Sequence, residues 1–173
     1  SGGLAGARPP VVMVVISNTS PLTNLAAIGQ FDLLRSLYGQ LRIAEAVWDE
    51  LNAEDRAWPG CAEVAAAYWI ERRAVQNRSL VMALRERLDP GEAETIALAV
   101  EVPPLLVLMD EKEGRRSAQR FGLKTVGVVG VLIEAKRRGL IRAVGPLLER
   151  LRQDAGFFLS DRVMQDACTF CGE

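Results

Sequence analysis

The chain has 173 residues, 49% of them hydrophobic and 25% charged, which is typical of one soluble globular domain with a real core. Its 21 Lys and Arg against 22 Asp and Glu give a net charge of −1, which argues against a constitutive high-affinity nucleic-acid binder, since such proteins are usually basic. The sequence contains no His, which excludes His-based triads, His general bases and most zinc enzymes. Catalysis must then depend on carboxylates, Lys, Cys, hydroxyl groups or a metal ion.

The cysteines and the apolar runs indicate the compartment. An odd number of cysteines without a recognisable signal peptide indicates a reducing environment, so we expect a cytoplasmic protein. Cys168 and Cys171 have the spacing of redox or metal sites, but a zinc site needs two more ligands, so we interpret the pair as structural. No apolar run approaches the length of a membrane span. We expect a flexible leader over residues 1–12 and a single domain over residues 13–173.

The first predicted element is a buried strand. Six apolar residues, four of them Val, run from Val11 to Ile16 and predict a parallel strand that ends near Ser17. The polar residues that follow predict a strand-to-helix turn, with Ser20 as the helix cap and Pro21 at the first helical position. Chemistry in α/β sheets lies at the carboxyl ends of strands, which is where Asn18 stands.

The rest of the chain alternates between strand and helix patterns. We predict further strands at 41–43, 105–109, 124–126 and 157–159, and an extended segment at 69–75. We predict helices at 21–27, 31–38, 44–54, 62–70, 89–99, 111–121, 127–138, 146–154 and 161–167. This alternation predicts a three-layer α/β/α sandwich around a central, mostly parallel sheet.

Acidic residues follow or flank the predicted strands. Asp110 ends a buried strand, as Asn18 does, while Glu50 lies on the helix after the second strand. Glu92 and Glu94 lie in the first turn of the helix that precedes Asp110. Carboxylates that meet at one sheet edge repel each other unless a divalent cation neutralises them, and oxygen ligands favour Mg²⁺ or Mn²⁺ over zinc. Such an ion can activate water and stabilise the charge that develops in phosphodiester cleavage.

Each of these residues also has a purely structural interpretation. Acidic residues in a first turn favour the helix dipole, which by itself explains Glu92 and Glu94. Glu50 fits a solvated surface position, and Asp110 fits a cap of the following helix. The spacing alone leaves both interpretations open.

Several segments resemble, in order, a subgroup of the PIN-domain family. The first has the Ser-Asp-Thr-Ser-Pro-Leu opening of that subgroup, with Asn18 in place of Asp, and another has its Gly-Glu-Ala-Glu-x-Ile-x-Leu-Ala signature. The similar segments are residues 16–22, 43–51, 91–99, 110–115, 127–132 and 135–141. Each motif is modest alone, but their common order is specific and covers nearly all of residues 13–173.

The resemblance implies a PIN-like sandwich with a ribonuclease site that depends on Mg²⁺ or Mn²⁺. Many relatives are toxins of prokaryotic toxin–antitoxin pairs and form dimers, so the expected partners are RNA, an antitoxin-like protein and a second copy, without a membrane. By position the catalytic residues are Asn18, Glu50, Glu92, Glu94 and Asp110. Three of these, Asn18, Glu94 and Asp110, are the implied metal ligands.

Two points stay open within the resemblance. Glu92 and Glu94 lie two residues apart, about 200° around a helix, so both cannot face one ion. Arg115 and Arg116 are candidates to contact phosphate, and solvated helix charge explains them equally well.

Asn18 is the main departure from the family pattern, since an amide oxygen binds Mg²⁺ more weakly than a carboxylate. Glu111 likewise stands where the family has a second Asp. The replacement at position 18 supports a second hypothesis, a catalytically degenerate PIN domain that only binds a partner. A third hypothesis, a flavodoxin- or Rossmann-like nucleotide binder, has the same fold class but lacks both the Gly-x-Gly-x-x-Gly and the Walker A motifs.

Overall fold

The computed structural model describes residues 13–53 and 58–173, and the predicted leader at 1–12 lies outside them. The described strands form one sheet in which every neighbouring pair is parallel, in the order β3-β2-β1-β4-β5. They are β1 (Val15–Ser17), β2 (Leu41–Ala44), β3 (Ile70–Arg73), β4 (Leu106–Leu108) and β5 (Thr125–Val126). The sheet order reverses at β1, so the switch point at which open α/β sheets bind ligands lies between β1 and β4.

Helices follow the strands and cover both faces of the sheet. They are α1 (Thr19–Ala27), α2 (Leu33–Tyr38), α3 (Glu45–Leu51), α4 (Cys61–Ala66), α5 (Arg78–Leu84), α6 (Pro90–Glu101), α7 (Lys112–Arg120), α8 (Val128–Arg137), α9 (Gly145–Gln153) and α10 (Asp161–Phe170). None of the helices in the described part of the chain combines the length and apolar character needed to cross a bilayer.

Successive residues of each central strand point to opposite faces of the sheet, which is the period of a pleated strand. In β1, Val15 joins a core packed by α1, α2, α8 and α9, whereas Ile16 joins a second core packed by α5, α6 and α7. In β4, Leu108 belongs to the first core and Val107 to the second. The predicted three-layer sandwich with a parallel sheet is therefore confirmed.

Helix α6 is the most deeply buried helix segment near the switch point, since all residues from 91 to 99 are buried. It packs against α3, α5, α7 and the sheet, which explains why residues 96–99 are an unbroken apolar run. Asp89 caps it through a capping box with Glu92. The position of α6 relative to the sheet is therefore fixed by packing all round.

The predicted strand at 157–159 is wrong. Phe157 instead donates its N–H to the carbonyl of Leu151 at 3.0 Å, and the guanidinium of Arg152 donates to the carbonyl of Leu159 at 2.9 Å. Because these backbone groups bond to the end of α9, the segment joins α9 to α10 as an irregular but anchored loop. Phe157 and Leu159 pack against the core while Phe158 is exposed, and both a strand and such a loop can show this alternation.

Other element boundaries also differ from the predictions. Helix α1 begins at Thr19 with Asn18 as its N-cap residue, so the expected cap at Ser20 and the first-position Pro21 are wrong. Helix α5 was not predicted, although its N-cap Asn77 accepts a hydrogen bond from the N–H of Leu80 at 3.0 Å, an ordinary capping signal. Helix α4 ends at Ala66, short of the predicted residue 70, because the following residues enter β3.

We expect Ile96→Ala to lower the free energy of unfolding by about 3 kcal/mol, because Ile96 is fully buried in α6 and its loss leaves a cavity. Urea unfolding monitored by circular dichroism measures this change. Val100→Ala is the matched control on the same helix, where the side chain is 39% exposed and truncation should cost much less. An equal decrease in the free energy of unfolding for both variants would contradict the packing described for α6.

Candidate functional site

Asn18 and Asp110 leave the sheet side by side at the carboxyl ends of β1 and β4. Ser17 is paired with Leu108 across the two strands, and Asn18 donates its N–H to the carbonyl of Leu108 at 2.9 Å. Both side chains hold a buried oxygen that has no hydrogen-bond partner among the described residues, Oδ1 of Asn18 and Oδ2 of Asp110. Buried acceptors are nearly always satisfied, so two unsatisfied ones at a switch point indicate a ligand position.

Asp110 is held by the start of α8. Its Oδ1 accepts the N–H of Val128 at 2.9 Å, and a Cβ on Gly127 would lie 2.5 Å from that oxygen, so a side chain at Gly127 would displace the carboxylate. Burial, together with the charge of Glu111, raises the pKa of Asp110 to about 6, against the lowering effects of the Val128 hydrogen bond and the charge of Arg115. Asp110 therefore does not cap the helix that follows it, whose N-cap residue is Glu111.

Glu111 belongs to the same group of side chains, although it was not among the predicted site residues. Its Oε2 accepts from the Nδ2 of Asn18 at 3.2 Å, and its Oε1 accepts from the hydroxyl of Ser20. This contact turns the amide so that its nitrogen faces Glu111, while Oδ1 stays without a partner. The available signal was its place directly after Asp110, where the resembling family has a second acidic residue.

Glu50 reaches the group from α3 and does not lie on a solvated surface. Its Oε2 accepts from the hydroxyl of Thr19, and its carboxylate packs against Gly91, where a Cβ would lie 2.8 Å from Oε2. Burial raises the pKa of Glu50, and the nearby charges of Asp89 and Glu111 raise it further. The first turn of α6 thus leaves room for a carboxylate because Gly91 has no side chain.

The two glutamates of α6 lie in different surroundings. Glu92 accepts from the N–H of Asp89 at 3.1 Å as part of the capping box of α6, and burial and the charges of Asp89, Glu111 and Glu50 raise its pKa to about 7. Glu94 instead accepts from the N–H of Ala46 at 3.1 Å and pairs with Arg78 at 3.2 Å. Glu92 therefore has acidic neighbours and Glu94 a cationic one. The geometry favours Glu92 for the site, and the role of Glu94 as a ligand stays a prediction.

We call this group of side chains the acidic cluster: Asn18, Glu50, Glu92, Asp110 and Glu111. A cleft of about 480 Å³ opens beside three of its members, Asn18, Glu50 and Glu111, and the side chains that line the cleft include hydroxyl groups as well as carboxylates. These lining residues are Asn18, Thr19, Ser20, Thr23, Glu50, Ala53, Trp58, Asp89 and Glu111.

The acidic cluster fits a hard divalent cation by its chemistry. Within the described residues no three acidic or thiol side chains already converge closely enough to hold an ion. The cluster nevertheless has oxygen donors only, two unpartnered buried oxygens and three carboxylates whose pKa values are raised by burial and mutual repulsion. A cation such as Mg²⁺ or Mn²⁺ would satisfy the oxygens and relieve the repulsion.

A family model described as a PIN domain matches residues 14–173. The chain belongs to the PIN-domain family. No curated protein matches it. The family predicted from the ordered motifs is thus confirmed, and with it a nuclease-like fold of a kind that generally depends on divalent metals.

The two arginines of this PIN domain differ in position. Arg115 lies near enough to Asp110 for its charge to lower the pKa of that carboxyl group. Arg116 pairs with Glu113 at 3.5 Å and is largely exposed, which matches the interpretation as solvated helix charge. Arg115 is therefore the better placed of the two for a phosphate contact.

We expect the free energy of unfolding in EDTA to fall by roughly 2 kcal/mol between pH 5 and pH 8. Folding raises the pKa of Glu92 from 4.5 to about 7 and that of Asp110 from 3.8 to about 6. The folded state thus binds protons more tightly than the unfolded state, and this stabilisation is lost as the pH rises through that window. Urea unfolding at a series of pH values measures the fall.

Glu92→Gln should weaken this pH dependence of the unfolding free energy, because it removes the carboxyl group whose pKa is raised to about 7. Glu63→Gln, at an exposed position on α4, is the matched control and should keep it. A stability that rises from pH 5 to pH 8 in EDTA would contradict the crowding of the carboxylates.

Proposed function

We propose that this PIN-domain protein is an endoribonuclease that depends on Mg²⁺ or Mn²⁺ and acts at the acidic cluster. The observation that carries the proposal is the pair of unpartnered buried oxygens on Asn18 and Asp110, at adjacent strand ends beside crowded carboxylates. Such a pair needs a cation or a donor, and the carboxylates around it favour the cation. The family supports the proposal through its nuclease-like fold.

Four residues of the cluster have a role in this proposal. Asn18 and Asp110 would hold the ion, which when bound lowers the pKa of a water molecule and stabilises charge on phosphate oxygens. Glu111 orients the amide of Asn18 through its hydrogen bond to Nδ2. Glu92, whose pKa is raised to about 7, is suited to accept a proton from water at neutral pH.

We expect Asn18→Asp to increase Mn²⁺-dependent RNA cleavage by about tenfold, which corresponds to ~1.4 kcal/mol of transition-state stabilisation. A carboxylate binds the ion more strongly than an amide, and the site would regain the acidic residue usual in the resembling subgroup. Cleavage of a fluorescent single-stranded RNA by the purified protein measures the rate.

Asn77→Asp is the control for this experiment, because it makes the same substitution at an exposed helix cap where Asp serves as well as Asn. If neither the wild type nor Asn18→Asp cleaves any RNA with Mn²⁺, while an active PIN nuclease does so in the same assay, the enzymatic proposal fails.

The two glutamates of α6 can be separated by metal binding. We expect Glu92→Gln to weaken Mn²⁺ binding by about tenfold, in the range found for residues around metal sites, and Glu94→Gln to leave it nearly unchanged. The measurement is the increase in Tm on adding Mn²⁺, taken against the metal-free Tm of the same variant. The opposite result would assign Glu94 to the ion, as the sequence predicted.

A second candidate function is a degenerate PIN domain that binds a partner and has lost catalysis. Asn18 favours it, because the amide contributes no charge to metal binding. Calorimetric titration distinguishes the two candidates, since the binding module would take up neither Mg²⁺ nor Mn²⁺ at millimolar concentration.

The nuclease proposal is accompanied by four further proposals. They are a role as a prokaryotic toxin, an antitoxin-like partner, a homodimer and a cytoplasmic location.

A further inference from the structure

A second cleft, of about 470 Å³, is lined by Asp110 of the acidic cluster and by both residues of β5. We call it the β5 cleft. Its lining also includes Arg115 and part of the loop between α9 and α10. The residues that line it are Asp110, Arg115, Thr125, Val126, Gly127, Val129, Gly130, Phe157, Phe158, Leu159, Ser160 and Val163. Because Asp110 takes part in both, a ligand in the β5 cleft would lie next to the acidic cluster.

Phe158 is the most unusual residue of this cleft, because 92% of its surface is exposed. The loop around it is nonetheless held on both sides. Leu159 is buried in the core, Phe157 packs against the same core, and hydrogen bonds fix both residues to the end of α9. The aromatic ring is therefore presented to solvent from an anchored backbone, which lowers the entropy lost when another ring stacks on it.

Part of the cleft wall has little side-chain bulk. Gly127 and Gly130 line it without side chains, and a Cβ on Gly127 would collide with the carboxylate of Asp110. Arg115 supplies positive charge at the Asp110 end, where a Cβ on Gly127 would lie 3.6 Å from its guanidinium. The lining of this one cleft thus combines an aromatic ring and a guanidinium, which match the two parts of a nucleotide, a flat base and an anionic phosphate.

We propose that the β5 cleft binds a nucleotide of single-stranded RNA adjacent to the phosphate that is cleaved, with its base stacked on Phe158 and its backbone near Arg115. This proposal rests on the proposed function, because Asp110 belongs to both sites. An unpaired base has a free face for stacking, whereas the bases of a duplex are stacked on one another, so the cleft selects single strands. Phe can stack on any of the four bases, so we expect a preference for single-stranded over double-stranded RNA and no preference for sequence.

The test uses the full chain and a fluorescent single-stranded RNA in EDTA, so that binding is measured without cleavage. We expect Phe158→Ala to weaken binding about tenfold and Phe158→Trp to restore it, because stacking contributes substantially per base. Phe170→Ala is the matched control, since Phe170 is 77% exposed on α10 and lies outside the β5 cleft. Duplex RNA of the same sequence should bind equally to the wild type and to Phe158→Ala.

The outcomes separate this inference from the nuclease proposal. If the wild type cleaves RNA and Phe158→Ala binds and cleaves as well as the wild type, the inference is overturned and the nuclease stands. If binding depends on Phe158 but no RNA is cleaved, the β5 cleft binds single-stranded RNA as inferred and the nuclease proposal fails. If Phe158→Ala leaves RNA binding intact but dissociates a dimer in sedimentation experiments, the exposed ring belongs to an interface between copies and the inference is overturned.

Discussion

The burial of the Asp110 carboxyl group at the end of β4 is the constraint on which the rest of the site depends. A carboxylate in that position is unfavourable unless its oxygens have partners. The start of α8 supplies one partner through the N–H of Val128, and Gly127 leaves the necessary space. The second oxygen has no partner among the described residues. The fold thus tolerates a costly group at the switch point of its sheet, which is typical of a residue retained for function.

The charge around Asp110 is arranged differently from what the resemblance suggested. Asn18 brings no charge to the end of β1, but Glu111 reaches back from the start of α7 and binds its amide nitrogen. Glu50 and Glu92 approach from α3 and α6, so a negative charge is present on several sides of the neutral residue. The exchange of Asp for Asn therefore leaves an acidic site with one fewer charged ligand, and the hydrogen bond to Glu111 decides which amide atom is left available.

The acidic cluster and the β5 cleft share Asp110, which connects the proposed chemistry to the proposed substrate contact. The acidic cluster provides oxygen donors, whereas the β5 cleft provides a guanidinium and an aromatic ring. The loop that carries this ring was expected to be a strand, and it holds Phe158 exposed between two residues that pack against the core. An error in the predicted secondary structure thus fell on a segment with a proposed functional role, as expected where local sequence preferences and function conflict.

The sequence by itself determined the layers, the parallel sheet and the strand ends at which Asn18 and Asp110 stand, because hydrophobic periodicity and capping residues are local signals. The ordered motifs also determined the family. Only the tertiary structure gave Glu92 and Glu94 their different surroundings, brought Glu111 to Asn18 and placed the Asp110 carboxylate at the start of α8. These choices depend on the directions of side chains from elements far apart in the chain, and such directions are set by packing rather than by spacing along the sequence.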